Sequence, residues 1–180
     1  MNFCSNCGNN KLEYIIPEGD QKHRFVCNEC DTIHYQNPRI IAGCLPIYDG
    51  KILLGKRAIE PRYGYWNLPA GFLENGETPN DGALRELYEE THAKGEAKHL
   101  HTVFSLPNFN QVYLIYYVAL SSDEFSKVTS ESIDVELFEI EDIPWDSIAF
   151  ESTTFAIKKY IENPTNTTAN IGHLIKEKLH

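Results

Sequence analysis

The stretch at residues 71–93, GFLENGETPNDGALRELYEETHA, decides the predicted fold. A helix is expected from Pro79 to Thr91, because Thr78 is a good N-cap residue and proline is favoured at the first position of a helix. At about 100° per residue, the apolar side chains fall on one arc of this helix and the glutamates on another. The apolar side chains are those of Ala83, Leu84, Leu87 and Tyr88. We expect that arc to pack against the rest of the domain.

Three glutamates share the remaining arc of the helix. Glu86, Glu89 and Glu90 stand at i, i+3 and i+4, where like charges destabilise a helix by about 0.2–0.5 kcal/mol per pair. Carboxylate oxygens gathered in this way, with Arg85 as the one base beside them, suit Mg²⁺ or Mn²⁺. The helix taken alone is equally consistent with an ordinary solvated acidic face. Both interpretations stay open at this point.

The spacing around the helix resembles the Nudix box. Gly71 is followed by five residues, Glu77, seven residues, and then the segment RELYEE at 85–90. One position departs from the box, because His92 stands where the family has glycine. Glycine there would end the helix with a positive φ, which histidine tolerates better than most residues. The resemblance implies an α/β fold, a Nudix-type α/β/α sandwich with a mixed sheet.

The N-terminal segment carries two Cys-x-x-Cys pairs, Cys4/Cys7 and Cys27/Cys30, with 19 residues between them. This spacing is typical of a four-thiolate zinc site, and a ribbon so short needs the metal for its folding energy. Two disulfides are the alternative, which a reducing cytosol disfavours. The fifth cysteine, Cys44, lies in an apolar stretch and is expected in the core. Residues 1–37 hold three bases and five acids, so nucleic-acid binding is not expected.

The order of motifs along the chain is similar to that of Nudix hydrolases with an N-terminal zinc ribbon, such as the plant chloroplast pyrophosphatases for FAD and ADP-ribose and their bacterial relatives. The shared motifs are the paired cysteines, Tyr35-Gln-Asn-Pro38, Lys56-Arg57, Pro61-x-x-Gly64-x-Trp66 and Leu68-Pro-Ala-Gly71. On this basis we divide the chain into a zinc ribbon (1–37), a Nudix hydrolase domain (38–163) and a C-terminal tail (164–180).

The resemblance also implies a catalytic magnesium (or manganese) site. It assigns the cation to Glu86, Glu90 and Glu89, in that order of preference, and to the carbonyl oxygen of Ala70. Arg85, together with Glu77, is expected to orient the loop and the helix.

A general base is expected from a loop after the box. Glu131 fits best by its spacing to Leu137-Phe138, and Asp134 is the alternative. Both acids also fit ordinary loop acidity, so the choice between them stays open.

Substrate contacts are predicted around the Pro/Gly-rich loop that contains Pro61, Gly64, Pro69, Gly71 and Gly76, and beyond it. Three bases are expected to hold phosphate: Lys56, Arg57 and Arg62. Four aromatic residues are expected to stack on adenine or flavin: Tyr63, Tyr65, Trp66 and Phe109. The alternative for each aromatic side chain is packing in the core, which is the more common role of such residues.

Composition narrows the function class further. The chain has 180 residues and a net charge of −10, which disfavours a polyanion-binding protein. No apolar run approaches the roughly 18 residues of a membrane span, and the N-terminus lacks the pattern of a signal peptide. We therefore expect no membrane association and a cytoplasmic location. By family habit we also expect a homodimer.

The predicted activity is hydrolysis of a nucleoside diphosphate linked to another moiety, releasing AMP. ADP-ribose or FAD is favoured. NADH is less favoured, because residues 104–111, FSLPNFNQ, depart from the Ser-Gln-Pro-Trp-Pro-Phe-Pro-x-Ser motif of the NADH pyrophosphatases. The alternative is a Nudix regulator that senses ADP-ribose or a nucleotide without cleaving it. Such sensors typically have eroded boxes, whereas the box acids are intact here.

Overall fold

The computed structural model describes residues 1–175, which form two compact units that divide after Asn37. The first unit is a three-stranded antiparallel sheet of β1 (Leu12–Ile15), β2 (Arg24–Cys27) and β3 (Ile33–His34), in that order. β1 and β2 agree with the sequence between the cysteine pairs, which predicts two short strands, from Leu12 to Ile16 and from His23 to Val26. β3 follows the second pair and was not predicted.

The second unit is built on a mixed eight-stranded sheet. Its strands are β4 (Arg39–Tyr48), β5 (Lys51–Arg57), β6 (Trp66–Asn67), β7 (Ala70–Phe72), β8 (Gly95–Leu106), β9 (Gln111–Leu120), β10 (Ser132–Phe138) and β11 (Asn170–His173). The order is β10-β5-β4-β9-β8-β11, with β6 on β5 and β7 on β4. The β4/β9 and β8/β11 pairs are parallel and the other pairs are antiparallel.

The two helices, α1 (Pro79–Thr91) and α2 (Glu151–Glu162), lie on opposite faces of this sheet. In β4, Cys44 belongs to the buried cluster that includes Leu87 of α1, whereas its neighbour Leu45 belongs to the cluster that includes Ile157 of α2. Successive side chains of a strand point to opposite faces. The expected α/β/α sandwich and the core position of Cys44 are therefore confirmed. Neither helix of the described chain is long and apolar enough to cross a bilayer.

β4 and β5 form a hairpin that opens away from its turn. Asp49 and Gly50 have φ values of 48° and 80°, as a two-residue hairpin loop requires. Beyond the turn only two residue pairs of β4 and β5 are in register, from Ile47↔Ile52 to Tyr48↔Lys51. After that β5 pairs with β6, and β4 pairs with β7. The predicted Pro/Gly-rich loop thus contributes two short strands to the sheet, and β7 reaches the box helix.

The C-terminal segment extends the sheet, although we expected a separate tail. β11 runs parallel to β8, and Asn170 donates a side-chain hydrogen bond to the carbonyl oxygen of His101 at 3.2 Å. A methyl group at Gly172 would lie 2.7 Å from the Phe155 ring, so glycine allows the strand to pass close beneath α2. The sequence also predicts a short amphipathic piece at 171–179, part of which lies outside the described residues.

Candidate active site and zinc centre

The two cysteine pairs are shaped by matching turns. Gly8 donates its N–H to the carbonyl oxygen of Cys4 at 2.9 Å, and Asp31 donates to that of Cys27 at the same distance. Both donors have a positive φ, of 76° and 54°. Each turn therefore brings the two sulfurs of its own pair to one side, and the β1–β2 hairpin brings the pairs together.

The four sulfurs form a group that fits zinc. The Sγ atoms of Cys4, Cys7, Cys27 and Cys30 all lie within 4.8 Å of one another. The Cys4–Cys30 and Cys7–Cys27 separations are 3.7 Å and 3.6 Å. Tetrahedral zinc with bonds of about 2.3 Å separates its sulfurs by about 3.8 Å, whereas a disulfide needs about 2.05 Å. All five cysteines are free, so the disulfide alternative has no support in the structure.

Side-chain donors surround two of these thiolates. His34 is buried, and its Nε2 lies 3.3 Å from Cys4 Sγ. Thr32 Oγ1 lies 3.1 Å from Cys30 Sγ. The side-chain and backbone hydrogen bonds from Thr32, and a further one from Asn6, lower the pKa of the Cys30 thiol to about 6. A zinc ion with four thiolates carries a net charge of −2, so such donors stabilise the loaded site.

The box helix begins and ends where the sequence predicts. Asp81 donates its N–H to Thr78 Oγ1 at 3.4 Å, and Pro79 is the first helical residue. At the other end His92 adopts the left-handed conformation with φ of 56° and donates its N–H to the Tyr88 carbonyl oxygen at 2.7 Å. His92 therefore takes the conformation that the family's glycine would take.

The packed face of α1 differs from the predicted one. Glu86 and Glu90 are 7% and 6% exposed, whereas Tyr88 is 49% exposed. The buried arc is turned by about 80° from the one that we expected. The reason is β7, which covers the side of the helix that carries two of the glutamates.

Glu86 and Glu90 face the backbone of β7. Glu90 Oε1 accepts a hydrogen bond from the N–H of Ala70 at 2.9 Å. A methyl group at Gly71 would overlap the Glu86 carboxylate, so the glycine of the box leaves the space that this side chain fills. The two carboxylates thus meet at the strand, where the predicted carbonyl ligand of Ala70 also lies.

Arg85 holds three glutamates and a carbonyl group. Its Nε and Nη2 donate to the two oxygens of Glu77 at 3.0 Å and 2.8 Å. Its Nη1 donates to Glu86 at 2.6 Å and to Glu89 at 2.9 Å. Nη2 also donates to the carbonyl oxygen of Phe72 at 3.2 Å, so all five N–H groups are used. These bonds lower the pKa of Glu77 to about 2.

Glu89 does not lie with Glu86 and Glu90, the other two ligand candidates. Its side chain is 49% exposed and is paired with Arg85. Within residues 1–175, the four cysteines alone form a group of three or more such ligand atoms within 4.8 Å of one another. The structure therefore brings Glu86 and Glu90 to β7 and leaves Glu89 at the rim.

Glu90 carries a strongly perturbed carboxyl group. Burial, helped by the negative charges of Glu86 and Glu131, raises its pKa to about 8 in spite of the Ala70 hydrogen bond. Burial likewise raises the pKa of Glu86. Buried carboxyl groups that lie close together can all be ionised only when a cation balances their negative charge. This donor set of hard oxygens fits Mg²⁺ or Mn²⁺. Glu131, the preferred base candidate, is close enough to act on both carboxylates.

Of the predicted substrate residues, Trp66 is a core residue, which corrects our expectation that it stacks on substrate. It is 8% exposed and meets Phe138 edge to face at 4.9 Å between ring centroids. Its cluster also contains Ile157 of α2. The alternating segment around Trp66 places it on the inner face of β6, packed among core residues.

Arg62 and Phe109 line a cleft of about 1020 Å³. Tyr65, another of the predicted stacking residues, also lines the cleft, and so do Trp145, Phe150 and Lys158, which we did not predict. Arg57 borders the cleft, with its guanidinium 5.1 Å from the centre of the Phe150 ring. Its positive charge also opposes the rise in the pKa of Glu90, so Arg57 acts electrostatically on that carboxylate. The segment PWDSIAF before α2 holds the missed aromatics, but no local pattern marks them as ligand contacts.

Comparison with known proteins agrees with this arrangement. The family model described as NUDIX domain matches residues 37–157, and the one described as Nudix N-terminal, a zinc ribbon, matches residues 2–36. The crystal structure of a NUDIX hydrolase from Nitrosomonas europaea is 44% identical, with a TM-score of 0.92 over 98% of this chain and 100% of that one.

Two curated relatives carry more specific names. An ADP-ribose pyrophosphatase of Methanocaldococcus jannaschii is 30% identical over 131 residues, which are 71% of this chain and 75% of that protein. An NAD-capped RNA hydrolase NudC of Vibrio parahaemolyticus is 28% identical over 149 residues, which are 80% of this chain and 53% of that protein. The chain belongs to the Nudix hydrolase family and carries the family's zinc-ribbon module at its N-terminus.

Proposed function

We propose that the protein is a Mg²⁺-dependent pyrophosphatase that splits a nucleoside diphosphate joined to a second moiety, with ADP-ribose or FAD favoured over NADH, and releases AMP. The observation that carries the proposal is the meeting of Glu86 and Glu90 at β7, together with Arg57, whose charge acts on Glu90 and whose guanidinium contacts Phe150 of the aromatic cleft. Two buried carboxylates and a cationic, aromatic cleft match a substrate made of a diphosphate and a flat base.

In this proposal Glu86 and Glu90 hold the cation, together with the Ala70 carbonyl oxygen, and Glu89 joins them from the rim. When bound, the cation supplies charge neutralisation of the diphosphate and a water of lowered pKa. Arg85 Nη1 binds one oxygen of Glu86 at 2.6 Å and one of Glu89 at 2.9 Å, so each of these carboxylates would offer its second oxygen to the cation. Arg85 keeps its bonds to Glu77, which anchor the helix to the loop before it.

The reaction consumes one water molecule. Its oxygen forms a bond to one phosphorus, the bridging oxygen leaves with the other phosphate, and the proton of the water passes to a base. We assign the base to Glu131, whose charge acts on both Glu86 and Glu90. Arg57 contacts Phe150 of the cleft and its charge acts on Glu90, so we assign it to the departing phosphate, which its positive charge suits.

The cleft supports a substrate with an aromatic base at one end. Tyr65, Phe109, Trp145 and Phe150 offer stacking surfaces, and Arg62 and Lys158 offer positive charge. ADP-ribose is favoured because the Methanocaldococcus jannaschii relative bears that name. FAD is retained from the resemblance to the chloroplast enzymes, and NADH ranks lower because the segment at 104–111 departs from the NADH motif.

A substrate panel tests the activity. The full chain is incubated with ADP-ribose, FAD and NADH in Mg²⁺, and AMP is measured by chromatography. AMP from ADP-ribose or FAD, lost on adding EDTA and restored by Mg²⁺, is the expected result. No AMP from any of the three would reject the proposal. Tight binding of ADP-ribose in that case would favour the sensing alternative.

The remaining assignments belong to the same proposal. Zn²⁺ has a structural role in the ribbon, supported by the four-sulfur geometry and the ribbon family match. A cytoplasmic homodimer follows from the family resemblance. Light scattering on the purified chain measures the oligomeric state, and a mass of one chain would exclude the dimer.

A further inference from the structure

The loop between β9 and β10, residues 121–131, is fastened to the C-terminal end of α1 at two places. At the first, His92 Nδ1 and Ser126 Oγ form a hydrogen bond of 2.7 Å, and the Ser126 N–H donates to the Thr91 carbonyl oxygen at 2.8 Å. At the second, Thr129 Oγ1 donates to the carbonyl oxygen of Glu90 at 3.1 Å. The loop that ends in Glu131 is thereby joined to the helix that carries the metal-site carboxylates.

The Thr129 hydroxyl uses its full bonding capacity at this junction. Besides its bond to Glu90, it accepts the N–H groups of Glu131 at 3.2 Å and Ser132 at 3.1 Å. One donor and two acceptor positions are all that a hydroxyl has. The turn is closed by the Thr129 N–H, which donates to the Ser132 carbonyl oxygen at 2.9 Å. A single side chain therefore sets the backbone of Glu131 relative to that of Glu90.

The backbone of Glu131 is also held from its other side. Its carbonyl oxygen accepts the N–H of Ala58 at 2.8 Å, just beyond the end of β5. With both backbone groups fixed, the Glu131 side chain has little freedom except its own rotations. This is the arrangement that a general base needs if it is to meet one water molecule.

His92 has a conformational cost that its side chain offsets. Its φ of 56° is in the left-handed region, where glycine is unstrained and a side chain is disfavoured. Glycine in this place would end the helix equally well, but it could not form the hydrogen bond to Ser126. The departure from the Nudix box thus adds a contact that the family pattern lacks.

We propose that His92 and Thr129 are positioning residues that hold the Glu131 loop against the end of α1, so that the base and the metal-site carboxylates keep one relative geometry. The proposal rests on the proposed function for the roles of Glu131 and Glu90. Neither His92 nor Thr129 is among the residues that line the cleft, so their loss should affect the rate of the chemical step and leave substrate binding intact.

Kinetics of His92→Gly test the first fastening point. The substitution restores the family's residue and removes the strain, so the unfolding temperature should not fall. We expect kcat to fall about threefold, the effect of one exposed hydrogen bond, with KM unchanged. Ser126→Ala should cost the same factor, and the double variant no more than either single one. Multiplying losses, or no loss in His92→Gly, would overturn the role of His92.

Thr129→Val and Thr129→Ser test the second point. Valine keeps the shape but leaves the Glu131 and Ser132 N–H groups without their acceptor, so kcat should fall at least about tenfold at constant KM. Serine restores the hydroxyl and should recover most of the rate. Ser122→Ala is the matched control, because the Ser122 hydroxyl accepts only the N–H of Glu124 within the same loop among the bonds described. Equal rates in the valine and serine variants would overturn the role of Thr129.

A readout without substrate separates this proposal from the proposed function. Hydrogen exchange of the amides at 122–131 should quicken in His92→Gly and in Thr129→Val, while that of the α1 interior stays as in the unmodified chain. If the unmodified chain hydrolyses nothing, the proposed function fails, and exchange still shows whether the loop is fastened. Unchanged exchange in both variants would overturn the proposal even in an active enzyme.

Discussion

The cysteine group of the ribbon and the glutamate group of α1 are both sets of anionic ligands, but they are assembled differently. The four sulfurs already lie within 4.8 Å of one another. The glutamates are divided, since Glu86 and Glu90 meet the backbone of β7 while Glu89 stays at the rim, paired with Arg85. Short turns place the sulfurs, whereas contacts from distant strands place the carboxylates. A structural metal needs a finished site, and a catalytic one needs ligands that can exchange partners.

The largest expected effect comes from breaking the cysteine group. Cys27→Ser should remove the bound zinc and unfold residues 1–37, because structural zinc contributes about 10–16 kcal/mol to small modules of this kind. Zinc per chain is measured by atomic emission, and ribbon folding by amide exchange. Cys44→Ala is the matched control, since Cys44 is buried in the core of the other unit. A full equivalent of zinc in Cys27→Ser would contradict the four-thiolate site.

Breaking the carboxylate group should cost activity and spare the fold. Glu90→Gln should lower turnover about 10³-fold, since several kcal/mol of cation stabilisation are lost at 1.36 kcal/mol per decade. Metal-free protein should not lose stability, because burial already disfavours the charged form and raises the Glu90 pKa to about 8. Turnover with Mg²⁺ and the unfolding temperature with EDTA are measured. Glu89→Gln, at the rim, should lose less turnover, and equal losses would contradict the division of the glutamates.

The two tryptophans sharpen the difference between core and cleft. Trp66→Ala should destabilise the protein by about 3–5 kcal/mol, because the indole fills the core beside Phe138. Trp145→Ala should instead raise KM about tenfold and leave stability nearly unchanged, because this ring is 39% exposed in the cleft. Urea unfolding and substrate kinetics measure both. A raised KM in a fully folded Trp66→Ala would restore Trp66 as a substrate contact.

The smallest expected effect concerns acid and the Arg85–Glu77 pair. The folded-state pKa of Glu77 is about 2, below its ordinary value of 4.5, chiefly because of its hydrogen bonds with Arg85. The pair therefore stabilises the folded state above pH 4.5, and this stability is lost as the pH falls from 4.5 towards 2. In EDTA, the gap in unfolding temperature between the unmodified chain and Glu77→Gln should shrink over that interval. A constant gap from pH 7 to pH 3 would contradict the pairing.

Patterns of neighbouring residues were enough to predict the long helices and strands. Thr78, Pro79 and the helix-ending His92 mark α1, and the structure has the bounds that they predict. The hairpin of β4 and β5 follows from Asp49-Gly50 between two apolar runs. The strands β3, β6 and β7 were missed, because two or three residues carry too little periodicity to be read. β11 was missed because its pairing joins Asn170 to Thr102, far back in the chain.

The site was only partly predictable for a related reason. The glutamates could be named from the box, but their burial depends on β7, one of the missed strands. The aromatic residues of the cleft come from segments far apart in the chain, such as Tyr65 and Trp145. Whether an aromatic ring packs or lines a cleft depends on the neighbours that the fold supplies, and Trp66 shows the error that follows without them.

The sequence by itself determined the family, the two modules, the sulfur ligands of the ribbon and the ends of the box helix, because each depends on residues close together in the chain. The tertiary structure alone decided which face of α1 is buried and which glutamates meet β7. It also decided that His92 and Thr129 tie the Glu131 loop to the helix. These outcomes depend on contacts between residues about 20 to 40 positions apart, as in Ala70–Glu90 and Glu90–Thr129, which spacing along a chain does not reveal.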